Sequence, residues 1–208
     1  MSRTTTRVLQ TPEERKEARS VVSRMYKAQG YSDDDGGGIA AFAAGSQATI
    51  WGIFLGESLF GTIAAIEDSQ YGLPMDAVFK LELDKLRHEG ARLIEVGQFS
   101  VDHKRYSELS GGKYSPFVAA PLMAAVFAHG LHKKSDYLCI CISPKHSAFY
   151  ERVGFRPTGN LRHYAAVNTP AIAKTFHLSE WMESPFVRGL LTAEHPLSES
   201  EDRPKGVG

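Results

Sequence analysis

The sequence has no excess of either charge. Lys and Arg number 24, Asp and Glu number 24, and the formal net charge is zero. A protein that grips a phosphate backbone needs a basic excess or stripe, so nucleic acid is not the expected partner. A disordered acidic or basic regulator is excluded on the same ground. No apolar run approaches the roughly 18 residues of a membrane span. Met1 to Arg7 carries no apolar stretch of signal-peptide type. Cysteine is scarce: Cys139 and Cys141 cannot build a disulfide framework, and a C-x-C without a partner pair is a poor metal signal, so buried thiols are expected. A soluble, reduced, cytoplasmic protein is the expectation these absences leave.

Several chemical signatures are missing as well. There is no G-x-G-x-x-G after a strand, no phosphate loop and no G-x-S-x-G elbow. Gly111-Gly112-Lys113 lacks the upstream glycine and the following hydroxyl residue. His129 and His132 are three apart with no carboxylate between them in H-E-x-x-H style, and Asp33 to Asp35 lacks the later glutamate of a calcium loop. No metal is expected.

What is present reads as alternating helices and strands. Thr11-Pro12-Glu13-Glu14 starts a helix with a capping box, and Ala18, Val21, Val22 and Met25 continue it at helical spacing to about Gln29. The run 33–38 (Asp-Asp-Asp-Gly-Gly-Gly) is a loop, with a lid as one role for it. Residues 49–67 read as a hairpin, 79–90 as an amphipathic helix and 91–101 as a buried strand. A Ser/Gly loop is expected over 107–115. An apolar helix then runs from Pro116 to about Lys134, with a kink at Pro121, and a short strand follows over 137–142. A short helix, a terminal β section and a last helix over 178–191 complete the order. This is a mixed α/β layout on one sheet, expected to be a single domain over residues 1–195 with a polar tail over 196–208.

Two segments carry chemistry. In Leu93-Ile94-Glu95-Val96-Gly97-Gln98-Phe99-Ser100-Val101, a glutamate and a glutamine interrupt a buried strand. Three apart, they should face opposite ways; a β-bulge at Gly97 puts both on one face, splays the strand and frees backbone N–H groups for an amide-bearing ligand or an oxyanion. A buried carboxylate has a raised pKa, which suits a base near neutral pH. The plainer alternative is a Glu95 at a solvated rim or paired with a Lys or Arg. In the second segment, 143–155, Phe149 and Val153 read as core, and Tyr150 lies one step round the helix with its hydroxyl aimed at a cleft. A phenol there donates a proton to a departing thiolate, or simply packs.

The F-Y-E-R-x-G-F run at Phe149–Phe155 resembles the last motif of the GNAT acyltransferase superfamily. More narrowly, Pro144-Lys145-His146, Phe149-Tyr150 and Val153-Gly154-Phe155, followed by Val167-Asn168-x-Pro170-Ala171, resemble the N-acyl amino acid synthases, relatives of the acyl-homoserine-lactone autoinducer synthases. The likeness covers about residues 12–180. It implies a GNAT-like fold with a mostly antiparallel, bulged sheet flanked by helices. The implied reaction is transfer of a fatty acyl group from a thioester to an amino acid amine.

Glu95-x-x-Gln98-Phe99-x-Val101 stands where those relatives have E-x-x-R-[FL]-x-V. Gln98 thus replaces an arginine, and Glu95 has less reason to stay ionised. Coenzyme A enzymes of the superfamily carry a [QR]-x-x-G-x-[GA] loop for the pyrophosphate. Residues 101–114 lack that spacing, which points to an acyl carrier protein and its phosphopantetheine as donor, ahead of acyl-coenzyme A.

On this reading Glu95, with Gln98 beside it, handles the amine proton. Phe99, Ser100 and Val101 meet the oxyanion and the pantetheine amides, and Tyr150 protonates the thiolate. Phe117, Met123 and Phe127 wall an acyl pocket unless they are plain core, and Lys104, Arg105 and Lys113 face an acidic carrier. Two rivals stand beside it: an acetyl-coenzyme A N-acetyltransferase, and a GNAT-shaped protein that binds a lipid or amine without turnover.

Overall fold

The structure, a computed structural model, describes residues 4–31, 48–113, 115 and 117–192. The acidic-glycine run at 33–38, the tail at 196–208 and the helix start expected at Pro116 lie outside them. The element order is β1 (Thr4–Val8), α1 (Pro12–Ala28), β2 (Ala48–Leu55), β3 (Ser58–Glu67), α2 (Asp76–His88), β4 (Leu93–Val101), α3 (His103–Ser110), α4 (Ala120–His132) and β5 (Tyr137–Ile142), then α5 (Ser147–Val153), β6 (Arg156–Pro157), β7 (Arg162–Tyr164), β8 (Thr169–His177) and α6 (Pro185–Thr192). Short 3-10 turns cover Pro144–His146, Ala165–Val167 and Leu178–Met182.

The strands form one sheet in the order β1-β2-β3-β4-β5-β8-β6, with β7 also paired to β8. Every pairing is antiparallel except β4 with β5. Helices cover both faces, so the mixed α/β architecture with a mostly antiparallel sheet is as expected. Strand alternation divides the core. Ile94 and Val96 face Leu122, Phe127, Ile140 and Phe176 on one side. Leu93 faces Ala18, Val21, Phe79 and Leu83 on the other.

The α1 cap forms as its sequence dictates. Thr11 Oγ1 accepts from the Glu14 amide at 3.1 Å, and the Glu14 carboxylate accepts from the Thr11 amide at 3.1 Å. Three expectations are corrected. The loop expected over 107–115 is helical in its first part, because α3 is capped by Asp102, whose Oδ1 accepts from the Arg105 amide at 2.9 Å, and is closed by Gly111 at φ +71°. There is no kink at Pro121: it sits in the first turn of α4, where its missing N–H is no loss. The last helix divides into a 3-10 turn and α6, which starts afresh at Pro185. Strand β1, a polar edge strand paired with β2, was not foreseen.

Candidate active site

The site begins with a fault in β4. Thr62 of β3 pairs with Ser100 and Ala64 with Gly97, so the single residue Ile63 faces both Gln98 and Phe99. The extra residue is a β-bulge. Its left-handed residue is Gln98, at φ +53°, and not Gly97, where the sequence placed the irregularity. A left-handed backbone costs a non-glycine residue roughly 1–2 kcal/mol, so the surrounding sheet must hold it. In this register Glu95, Gly97 and Ser100 stand opposite Ile66, Ala64 and Thr62, while Gln98 and Phe99 share the place opposite Ile63.

The second fault is the loss of a partner. Strand β4 pairs with β5 only at Leu93↔Tyr137, Ile94↔Leu138 and Glu95↔Cys139. Beyond Glu95 the two parallel strands separate, while β5 stays joined to β8 as far as Ile142. Along the bulge the edge of β4 is therefore no longer joined to β5. A cavity of about 130 Å³ lies in this gap. Gly97, Gln98 and Phe99 form one wall, Cys141 and Ile142 the other, and Tyr26, Tyr31, Tyr150 and Tyr164 contribute rings.

Glu95 is 6% exposed and does not line the cavity. Its Oε2 accepts from the Met75 amide at 2.8 Å, just before α2. Burial raises its pKa to about 8, against the lowering effect of that amide; the charges of Asp76 and Asp68 add to the rise. The alternative of an ion-paired Glu95 is not what the described residues form. Arg87, held by both acidic neighbours, is bonded to Asp68, Asp76 and Asp84 at 2.6–3.0 Å. The carboxylate is nonetheless felt in the cavity. Burial pushes the Tyr26, Tyr164 and Cys141 groups up, and the charge of Glu95 adds to each.

Tyr150 reaches the cavity from α5, buried to 8% exposure between Phe149 and Phe155. Burial keeps its phenol protonated. Helix α5 is tied down beside it. Lys174 of β8, 0% exposed, donates to Glu151 Oε1 at 2.6 Å, and Ser147 Oγ donates to the same oxygen at 2.9 Å. Gly154 ends the helix at φ +116°, where a Cβ would stand 2.9 Å from the Phe176 ring.

The structure thus brings Gln98, Phe99 and Tyr150 to one cavity, with Glu95 behind its wall. Ser100, 5% exposed, and Val101 lie just past the bulge and are not lining residues. The three acyl-wall positions are elsewhere. Met123 and Phe127 are core of α4, 3% and 0% exposed, and Phe117 is 71% exposed on the surface. Apolar character alone cannot tell a pocket wall from packing, and here packing accounts for the α4 positions. Cys139 is buried, as expected, whereas Cys141 reaches the cavity. No metal-binding cluster exists among the described residues.

Sequence reasoning missed Tyr26, Tyr31, Tyr164 and His146 as wall residues. Signals existed for each. Tyr26 extends the apolar stripe of α1 four residues after Val22. The Pro-Lys-His run makes a 3-10 turn that sets His146 at the rim. In the Val-Asn-x-Pro-Ala run, Asn168 turns the chain at φ +45°, and Val167, Thr169 and Ala171 line the cavity.

A family model described as "N-acyl amino acid synthase FeeM" matches residues 17–177. Among solved structures, FeeM, an N-acyl amino acid synthase from uncultured soil microbes, is 45% identical over 88% of this chain and 96% of its own, with a TM-score of 0.84. An N-acetyltransferase from Staphylococcus aureus Mu50 is 13% identical over 86% of this chain and 99% of its own, with a TM-score of 0.56. Agmatine N-acetyltransferase, in an S171A apo form, is 9% identical over 84% and 99%, with a TM-score of 0.59. At those identities the two acetyltransferases show a shared fold alone. No curated protein matches the chain.

Proposed function

The chain belongs to the FeeM N-acyl amino acid synthase family and is an N-acyltransferase, and from that premise we propose that it moves a fatty acyl group from a carrier-protein thioester to the amine of an amino acid. The proposed unit is a single domain over residues 1–195. The observation that carries the reading is the gap where bulged β4 leaves β5, with the Glu95 carboxylate behind one wall.

In the proposed mechanism an acyl-pantetheine arm lies along the edge of β4 that has parted from β5. Backbone groups of Phe99–Val101 meet its amides and the oxygen that gains charge as the amine attacks. Glu95 takes the ammonium proton through an intervening water, because the carboxylate lies behind the wall. Gln98, fixed by the bulge, keeps β4 open beside it. Tyr150 donates to the departing sulfur. A thiol of ordinary pKa near 8.5 leaves with little help, so Tyr150→Phe is expected to lower kcat only about tenfold. Rapid-mix kinetics with an acyl thioester checks this; an unchanged rate removes Tyr150 as proton donor.

Support for a carrier protein comes from the segment after β4. The N-terminus of α3 is occupied by the Asp102 carboxylate, which opposes a pyrophosphate there. Lys104 and Lys113 are exposed and available to an acidic partner, while Arg105 is partly committed, its Nε donating to the Leu59 carbonyl at 3.0 Å. Coenzyme A is the second reading, favoured by the N-terminus of α4, where Ala119 provides no side-chain cap. No helix among the described residues is long and apolar enough to cross a membrane.

Expression in a bacterial host, with mass spectrometry of lipid extracts, tests the reaction. N-acyl amino acids are expected, and their absence overturns the proposal. Calorimetry separates the donors: heat with coenzyme A and none with a loaded carrier protein selects the second reading.

A further inference from the structure

The proposed acceptor carries a carboxylate as well as an amine, and the cavity wall has little to meet it. Among the described lining residues none is Lys, Arg, Asp or Glu, and only His146 can carry positive charge. A carboxylate placed deep in the cavity would lose hydration with no Lys or Arg among the described lining residues to offset its charge.

The rim differs. The 3-10 turn at Pro144–His146 faces the end of α1, and three donors of different type converge there. His146 Nε2 is hydrogen-bonded to the Tyr31 hydroxyl at 2.9 Å. Lys145 Nζ lies 4.4 Å from the centre of the Tyr31 ring and donates to Gln29 Oε1 at 3.1 Å. A phenol, an imidazole and an ammonium are thus gathered at one edge of the cavity, held by contacts between segments more than a hundred residues apart in sequence. Burial, with the charge of Lys145 adding to it, holds His146 below the usual imidazole range. Lys145 therefore supplies the charge, while the ring and the phenol supply directed hydrogen bonds.

We propose that Lys145, His146 and Tyr31 form the subsite for the carboxylate of the acceptor, holding the amino acid with its amine toward the gap between β4 and β5. This rests on the amino acid reading above. The three side chains now satisfy one another, and a carboxylate entering at the rim exchanges the Gln29 carbonyl and the neutral Tyr–His pairing for charge-assisted bonds. Specificity follows from the arrangement: an amine without a carboxylate loses this anchor but not the chemistry.

The test compares two acceptors on the full-length protein with a palmitoyl carrier-protein thioester as donor. One is whichever of the twenty amino acids turns over fastest; the other is its carboxamide. Lys145→Met should raise KM for the amino acid about tenfold with kcat within twofold, and leave KM for the carboxamide unchanged. His146→Asn, which removes a directed hydrogen bond at the cavity wall, should raise KM for both acceptors, and more for the amino acid. Both side chains are exposed at the rim, and a melting curve on each variant establishes that it is folded. Equal changes for both acceptors, or no change for either, overturn the subsite and leave the amino acid reading standing. A wild-type protein that acylates neither acceptor overturns that reading and the subsite with it.

Discussion

Replacing Glu95 by glutamine is expected to cut kcat by about 10²–10⁴-fold, the range that a positioned base contributes, with no loss of melting temperature. Glutamine keeps the volume, and its carbonyl can still accept from the Met75 amide, so the bonding at the start of α2 survives. What goes is the group proposed to take a proton. Because the Glu95 pKa is about 8, the wild-type rate should climb with pH up to and through that value, and the variant should lack this limb.

Stability should move the opposite way. The folded protein retains a proton that the unfolded chain releases at about 4.5. Its contribution is complete below pH 4.5 and is lost as pH rises through about 8. Chemical denaturation of both proteins at pH 5 and pH 9 checks the sign: the variant should gain relative to wild type at the higher pH. A rate unaffected by the substitution would falsify the role of Glu95.

Gly97→Leu is the second large effect. A Cβ built at Gly97 meets nothing within 4 Å, and Gly97 is not in the left-handed region. The backbone therefore accepts a side chain, and melting should shift by no more than a few degrees. That side chain enters the gap between β4 and β5, where the proposed mechanism brings thioester and amine together. Displacing reacting groups by about 1 Å can cost roughly 100-fold, and a fall in kcat/KM of at least that order is expected. Steady-state kinetics beside a melting curve decides it: full activity would place the reaction outside this cavity.

The amphipathic elements were legible because burial writes a period into the chain. Helix α1, the β2–β3 hairpin and strand β5 could be read from spacing and capping residues. Helix α3 could not: none of its eight residues is buried, so His103–Ser110 has no apolar stripe, and only the Asp102 cap and Gly111 mark it. Strand β1 was hidden for a related reason, since a Thr-Thr-Thr edge has polar side chains on both faces.

Within the site, a bulge near Gly97 was legible from a glutamate and a glutamine three apart in a buried strand. Its left-handed position was not, because glycine is the usual occupant of such a backbone and Gln98 takes it here. The four tyrosines come from α1, the turn that follows it, α5 and β7, and only the tertiary structure assembles them. Met123 and Phe127 show the converse difficulty: apolar residues that fill the interior read the same in sequence as a pocket wall, and the structure places both in the core.

The parallel seam between β4 and β5 is only three residue pairs long. The sheet is thus two antiparallel halves joined by a short weld, with an open slot above it. An extended, amide-bearing guest in that slot would act as a temporary strand, bridging halves that the polypeptide leaves apart. Loading with donor and resistance to unfolding would then be thermodynamically linked, so that the loaded enzyme is also the sturdier one.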